Sequence, residues 1–93
     1  MIRSVKGKRI ERLIAGRPAK GFPSELVRRA EIKIAQIDAA LRLEDLKLPL
    51  SNRLEKLSGD REGQYSIRIN RQWRLCFVWE GEDAFEVEIV DYH

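Results

Sequence analysis

The three residues Asp91, Tyr92 and His93 follow directly on the apolar run Val87, Ile89 and Val90, and His93 is the single histidine of the chain. Upstream, the segment from Gly59 to Phe77 is dense in arginine and aromatic residues: Arg61, Tyr65, Arg68, Arg71, Trp73, Arg74 and Phe77. Groups that move protons at one end and cations that read phosphate at the other are the parts needed to cut RNA without a metal. Internal attack by a 2′-hydroxyl needs a base for its proton, cations for the phosphorus oxygens, and an acid for the departing 5′ oxygen. His93 can be acid or base, because an unperturbed imidazole titrates near ~6.5. Its own α-carboxylate and Asp91 favour the protonated ring, which suits the acid. Asp91, or Glu55 further upstream, can be the base. Tyr92 can stack on a base or hydrogen-bond a phosphate. Arg61, Arg68 and Arg74, with Arg71 beside them, carry planar donors that fit phosphate better than lysine does.

Each residue also has a plain structural reading. A terminal histidine often frays. Arg68, alternating with apolar positions, can be a solvated strand residue. Arg74 can pair with a carboxylate such as Glu88. Tyr92 can be a core or edge aromatic, and Asp60 a turn residue.

The elements that must position these groups are legible from periodicity. Met1 to Val5 is expected as a short strand and Lys6 to Ala15 as a helix, with Ile10, Leu13 and Ile14 at helical spacing. Gly16, Pro18 and Gly21 break it. Ser24 is expected to cap a helix reaching about Leu41, whose inner face reads Leu26, Val27, Ala30, Ile34, Ile37 and Leu41. Glu44 to Leu46 suggests a turn before Pro49. Beyond Asn52 the period becomes two. A strand is expected near Leu54 to Leu57, then one with Tyr65, Ile67 and Ile69 inward. Asn70-Arg71-Gln72 connects to a strand from Trp73 to Trp79, with Arg74 and Cys76 opposite the Trp73, Leu75, Phe77 row. Gly81-Glu82-Asp83 turns into a last strand, Phe85 to Val90. The expected fold is α+β, N-terminal helices covering a small antiparallel meander.

Ninety-three residues suit a single domain, residues 1–93, with a small core. No apolar stretch approaches the ~20 residues of a membrane span, and no signal-peptide pattern opens the chain, so a cytoplasmic location is expected. The single cysteine, Cys76, reads as a buried small hydrophobe. Charge is unevenly spread: residues 1–20 hold seven Lys or Arg against one acid, whereas residues 80–93 hold six acids and no Lys or Arg. That asymmetry suits a surface for a polyanion, or else contact between the two ends neutralises both.

Across nearly its whole length the chain resembles the HigB branch of the RelE-like toxins, also described as plasmid maintenance killer proteins. The resemblance rests on Met1-Ile2-Arg3-Ser4, on Leu57-Ser58-Gly59-Asp60-Arg61-Glu62-Gly63, on Ser66-Ile67 followed by Trp73-Arg74, and on the ending Asp91-Tyr92-His93. It implies a RelE-like, microbial-RNase-like fold and the toxin half of a type II toxin–antitoxin module. It also implies a ribosome-dependent endoribonuclease that needs no metal or other cofactor and cuts mRNA in the A site of the small subunit. The implied partners are a cognate helix-turn-helix antitoxin, the ribosome and mRNA. By this resemblance Arg74 holds the scissile phosphate, and Asp91, Tyr92 and His93 form the catalytic tail. Arg61, Arg68 and Arg71 are expected on RNA. Two positions depart from the family pattern: Glu55 stands where relatives have histidine, and Ser58 where they have lysine. A carboxylate still accepts a proton but repels phosphate. The competing reading is therefore a RelE-like module that binds ribosome or antitoxin without efficient cleavage. A DNA-binding regulator is a third class, suggested only by Arg28, Arg29 and Lys33 on the long helix, with no second helix at helix-turn-helix spacing.

Overall fold

In the computed structural model of the chain, residues 1–92 are described. Two helices, α1 (Lys8–Ile14) and α2 (Val27–Ala39), pack on one face of a four-stranded antiparallel sheet, the expected α+β arrangement. The strands are β1 (Glu55–Lys56), β2 (Tyr65–Arg68), β3 (Trp73–Glu80) and β4 (Asp83–Asp91), in the order β1-β2-β3-β4. Period-two alternation drives this sheet: Ile67, Leu75, Phe77, Val87 and Ile89 are buried against the helices. Each such side chain contributes on the order of 1.5–3 kcal/mol by leaving water. Trp73 meets Phe22 edge-on with ring centroids 4.9 Å apart, and the Arg9 guanidinium lies 4.9 Å from the Trp73 ring.

The register matters for the site, since residues opposite each other on paired strands share a face. Glu55 lies opposite Ser66, Ser66 opposite Cys76, Arg68 opposite Arg74, and Cys76 opposite Glu88. These residues lie in two neighbouring cross-strand rows, Glu55-Ser66-Cys76-Glu88 and Arg68-Arg74, on the face away from the helices. Trp73 lies opposite Asp91. A bulge between Cys76 and Val78 shifts the register, and Glu86 near it adopts φ 54°.

Several boundaries differ from expectation. Residues 1–5 form isolated parallel bridges to β4, Ile2 to Ala84 and Val5 to Val87, in place of a full strand. The helix expected over Lys6 to Ala15 spans only α1, because Gly7 at φ 96° precedes it. Ser24 starts a 3₁₀ turn and makes no side-chain cap; α2 follows from Val27. The inner face of α2 carries Ala30, Lys33 and Ile37, whereas Leu41 is exposed. Ala40 turns extended (ψ 133°), and this ends the helix before Leu41 can reach the core. The connection from residue 43 to 52 contains two 3₁₀ turns, Leu43–Lys47 and Leu50–Asn52. The two charged ends meet only in part: Arg3 Nε is 3.3 Å and the N-terminal ammonium 3.5 Å from Asp83.

Candidate active site

On the face away from the helices, Arg74 is the organising side chain. It is only 7% exposed, although the helices lie on the opposite face. Its Nε donates to Ser66 Oγ at 2.7 Å, and its Nη2 donates to the Arg53 carbonyl at 2.6 Å and the Ser66 carbonyl at 3.4 Å. Arg53 sits in the left-handed region (φ 45°), strain of the kind that persists where surrounding contacts over-determine it. The expectation that Arg74 pairs with Glu88 is corrected. Its nearest carboxylate is Glu55, Oε1 to Nη2 3.9 Å, and the guanidinium is held by three neutral acceptors. The neutral acceptors fix its orientation without neutralising it, and Glu55 meets the charge only at the long end of ion-pair distance.

Glu88 serves Arg61 instead. Arg61 Nη1 donates to Glu88 Oε1 at 3.1 Å and to Gln64 Oε1 at 3.1 Å. Burial works against the Arg61 charge, but the Glu88 bond, with Cys76 and Tyr92 nearby, outweighs it and holds the pKa above the ordinary guanidinium value. Tyr92 closes the cluster. Its ring centroid lies 5.9 Å from Arg74 Cζ, and its backbone N–H donates to the Gln72 carbonyl. Burial, then the Cys76 beside it, pushes the Tyr92 phenol up; burial likewise pushes up the Cys76 thiol, which is fully enclosed. Cys76 is thus a neutral floor of the site and no nucleophile at neutral pH.

Of the expected site residues, Glu55, Arg61, Arg74 and Tyr92 converge. Arg68 lies opposite Arg74 but turns its Nε to the Asn70 carbonyl at 3.0 Å, and Arg71 is exposed at the hairpin tip. Asp91 lies opposite Trp73 and accepts from Gln72 Nε2 at 3.1 Å. His93 lies outside the described residues. Two contributors are not among the expected site residues: Ser66, whose alternation with Ile67 puts it on the Arg74 side, and the Arg53 carbonyl, which no side-chain pattern reveals. Among the described residues no group of three or more His, Cys, Asp or Glu could hold a metal ion, and no helix is long and apolar enough to cross a membrane.

Comparison with known proteins bears on this geometry. Residues 3–93 match the sequence model of a family described as the RelE-like toxin of the type II toxin–antitoxin system HigB. The chain is 33% identical over 93 residues to "Endoribonuclease HigB" of Proteus vulgaris, covering 100% of both chains. It is 42% identical over 58 residues to "Toxin HigB-1" of Vibrio cholerae, covering 62% of this chain and 61% of that one. Among solved structures, a YafQ variant from E. coli superposes with a TM-score of 0.67 at 13% identity, covering 98% of this chain and 91% of the other. The YoeB–YefM toxin–antitoxin complex of Staphylococcus aureus gives 0.62 at 19% identity, covering 100% and 95%.

Proposed function

Because the chain belongs to the HigB-like family of RelE-like toxins from type II toxin–antitoxin systems, we propose that it is an endoribonuclease that cuts mRNA in the ribosomal A site. The observation that carries this reading is Arg74, fixed by Ser66 Oγ and the Arg53 carbonyl beside Glu55, Arg61 and Tyr92. A buried guanidinium whose charge is held by neutral acceptors is preorganised for an anion.

In the proposed reaction the 2′ oxygen attacks the adjacent phosphorus and its proton passes to Glu55. The bond to the 5′ oxygen breaks, that oxygen takes a proton from His93, and a 2′,3′-cyclic phosphate remains. Arg74 and Arg61 hold the phosphorus oxygens as charge builds on them. Tyr92 stacks on a neighbouring base or donates to the phosphate, its phenol staying protonated. In this scheme Asp91 steadies the tail through Gln72, and Glu55, beside Arg74, is the base. No metal enters this scheme.

The site lacks paired histidines, so translating ribosomes are assigned the task of orienting the 2′-hydroxyl, an effect worth up to ~7–11 kcal/mol. Cytoplasmic action follows from that role, and a cognate helix-turn-helix antitoxin is the proposed restraint, as YefM accompanies YoeB in the neighbouring structure. The test is codon-resolved mapping of mRNA ends with and without translating ribosomes. Wild type should cut only translated mRNA, and Arg74→Ala should lower cutting about 10²–10³-fold while remaining folded. Efficient cutting of free RNA would remove the ribosome from the scheme. Glu55 at 3.9 Å from Arg74 and Glu88 at 3.1 Å from Arg61 also support a second reading, a module that binds ribosome or antitoxin with little cleavage. Absence of cleavage by wild type in the same mapping would select it.

A further inference from the structure

Beside the Arg74 site lies an open cavity of about 680 Å³ between α2, the residues before β1, and the β2–β3 hairpin. Five cations line it: Arg29, Lys33, Arg53, Arg68 and Arg71; no Asp or Glu does so among the described residues. Lys33 is the deepest, 6% exposed on the inner face of α2. Its Nζ donates to Asn52 Oδ1. The Asn52 amide is fully buried, and its Nδ2 faces Gln36 Oε1 and the Leu46 and Leu48 carbonyls at 3.2–3.3 Å. These three acceptors fix which way the amide points and aim its oxygen at the lysine. A neutral amide does not balance an ammonium, and burying a charge without a counter-ion is costly. Burial, then the field of Arg29, lowers the Lys33 pKa below 10.5. Five like charges around one hollow, one of them buried, are unfavourable in isolation and are relieved by an anion.

We propose that this cavity is a second phosphate site, which takes a backbone phosphate of the RNA strand neighbouring the one held at Arg74. The assignment rests on the RNA-cutting reading above. Two connections join the cavity to that site. Arg53 lines the cavity, and its carbonyl holds Arg74. Arg68 lines it too and lies opposite Arg74 on the neighbouring strand, one strand spacing of ~4.8 Å away. A strand threaded past Arg74 therefore meets this cavity along the hairpin. The guanidiniums of Arg29, Arg53, Arg68 and Arg71 and the ammonium of Lys33 are the donor types that cradle phosphate.

The test uses the full chain, Lys33→Gln, which retains a donor for Asn52, and Arg71→Gln at the exposed rim, each checked for wild-type circular dichroism. Inorganic phosphate should raise the melting temperature of wild type by mass action and do so less in both variants. Uncleavable 2′-O-methyl RNA oligonucleotides, each with one phosphate replaced by a neutral methylphosphonate, locate the contact. One neutral linkage next to the scissile one should weaken wild-type binding about tenfold, the worth of one charge-assisted hydrogen bond. The same linkage should leave Lys33→Gln unaffected, and the salt slope of that variant should be shallower by ~0.7. Equal protection of all three proteins by inorganic phosphate would overturn the proposal. So would binding in which no neighbouring linkage depends on Lys33, or Lys33-dependent binding to a poly-glutamate peptide alone, which would make the cavity a protein dock. Cleavage of translated mRNA by wild type, mapped in parallel, reports on the RNA-cutting reading separately from each of these results.

Discussion

Ser66 accepts the buried Nε–H of Arg74, and removing that acceptor leaves a charged donor with no partner in a place water does not reach. Ser66→Ala should therefore cost about 1–3 kcal/mol of stability, read by urea unfolding, and should lower mRNA cleavage more than a neutral surface change does. A variant with unchanged stability and full cleavage would show that Arg74 needs only its carbonyl acceptors. Lys33 gives a second test, in which pH is the variable. Its folded pKa is lowered from 10.5, chiefly by burial, so between the lowered value and 10.5 the unfolded chain binds more protons at this residue than the folded one. Stability attributable to Lys33 thus rises with pH through that window; it is fully present above 10.5 and lost as pH falls through the folded value. Wild type should gain on Lys33→Met as pH rises from neutrality toward 10.5. A gap moving the other way would mean that the ammonium is paired rather than penalised.

At the scale of elements, the connection between α2 and β1 hangs on one side chain. Asn52 contacts Lys33, Gln36 and two carbonyls of the preceding turn, all from a fully buried position. Asn52→Ala should lose about 2–4 kcal/mol, seen as a lower denaturation midpoint. A cost below ~0.5 kcal/mol would show that the 3₁₀ turns stand without it. This segment was also the least legible in the sequence. The sheet announced itself because alternation at Tyr65, Ile67 and Ile69 and from Trp73 onward is a local pattern, and it placed Arg74 opposite Trp73 correctly. Two short 3₁₀ turns held by a distant lysine have no period to read. The inner face of α2 follows the expected stripe at Leu26, Val27, Ala30, Ile34 and Ile37 and departs from it at two positions. Lys33 is buried although periodicity gives a lysine no inner position, and Leu41 is exposed because the chain leaves the helix at Ala40. Which carboxylate meets which arginine was illegible as well, because the bulge near Glu86 sets the β3–β4 register and leaves no mark in the alternation.

For the molecule as a whole, the outer edge of β4 is covered by residues 1–6. The Arg3 and Lys6 N–H groups donate to the Ala84 and Val87 carbonyls, and the Ala84 and Val87 N–H groups donate to Met1 and Ser4. An open edge strand is a template for pairing with other chains. Removing residues 1–5 should therefore produce self-association, visible as earlier elution on size exclusion, with the sheet signal in circular dichroism retained. A truncated chain that stays monomeric would show that the edge is protected by its own charges. The same pairing has a consequence for how the chain is made. Residues 1–6 and β4 are separated by some eighty residues, so the segment that pairs with β4 is made long before β4 itself. Loop closure over such a separation slows the final step of folding. β4 ends at Asp91, one residue before Tyr92, and so leads into the tail of the proposed site. Pairing of residues 1–6 with β4 therefore also fixes the strand that leads to Tyr92, and scaffold and proposed site take shape in one event.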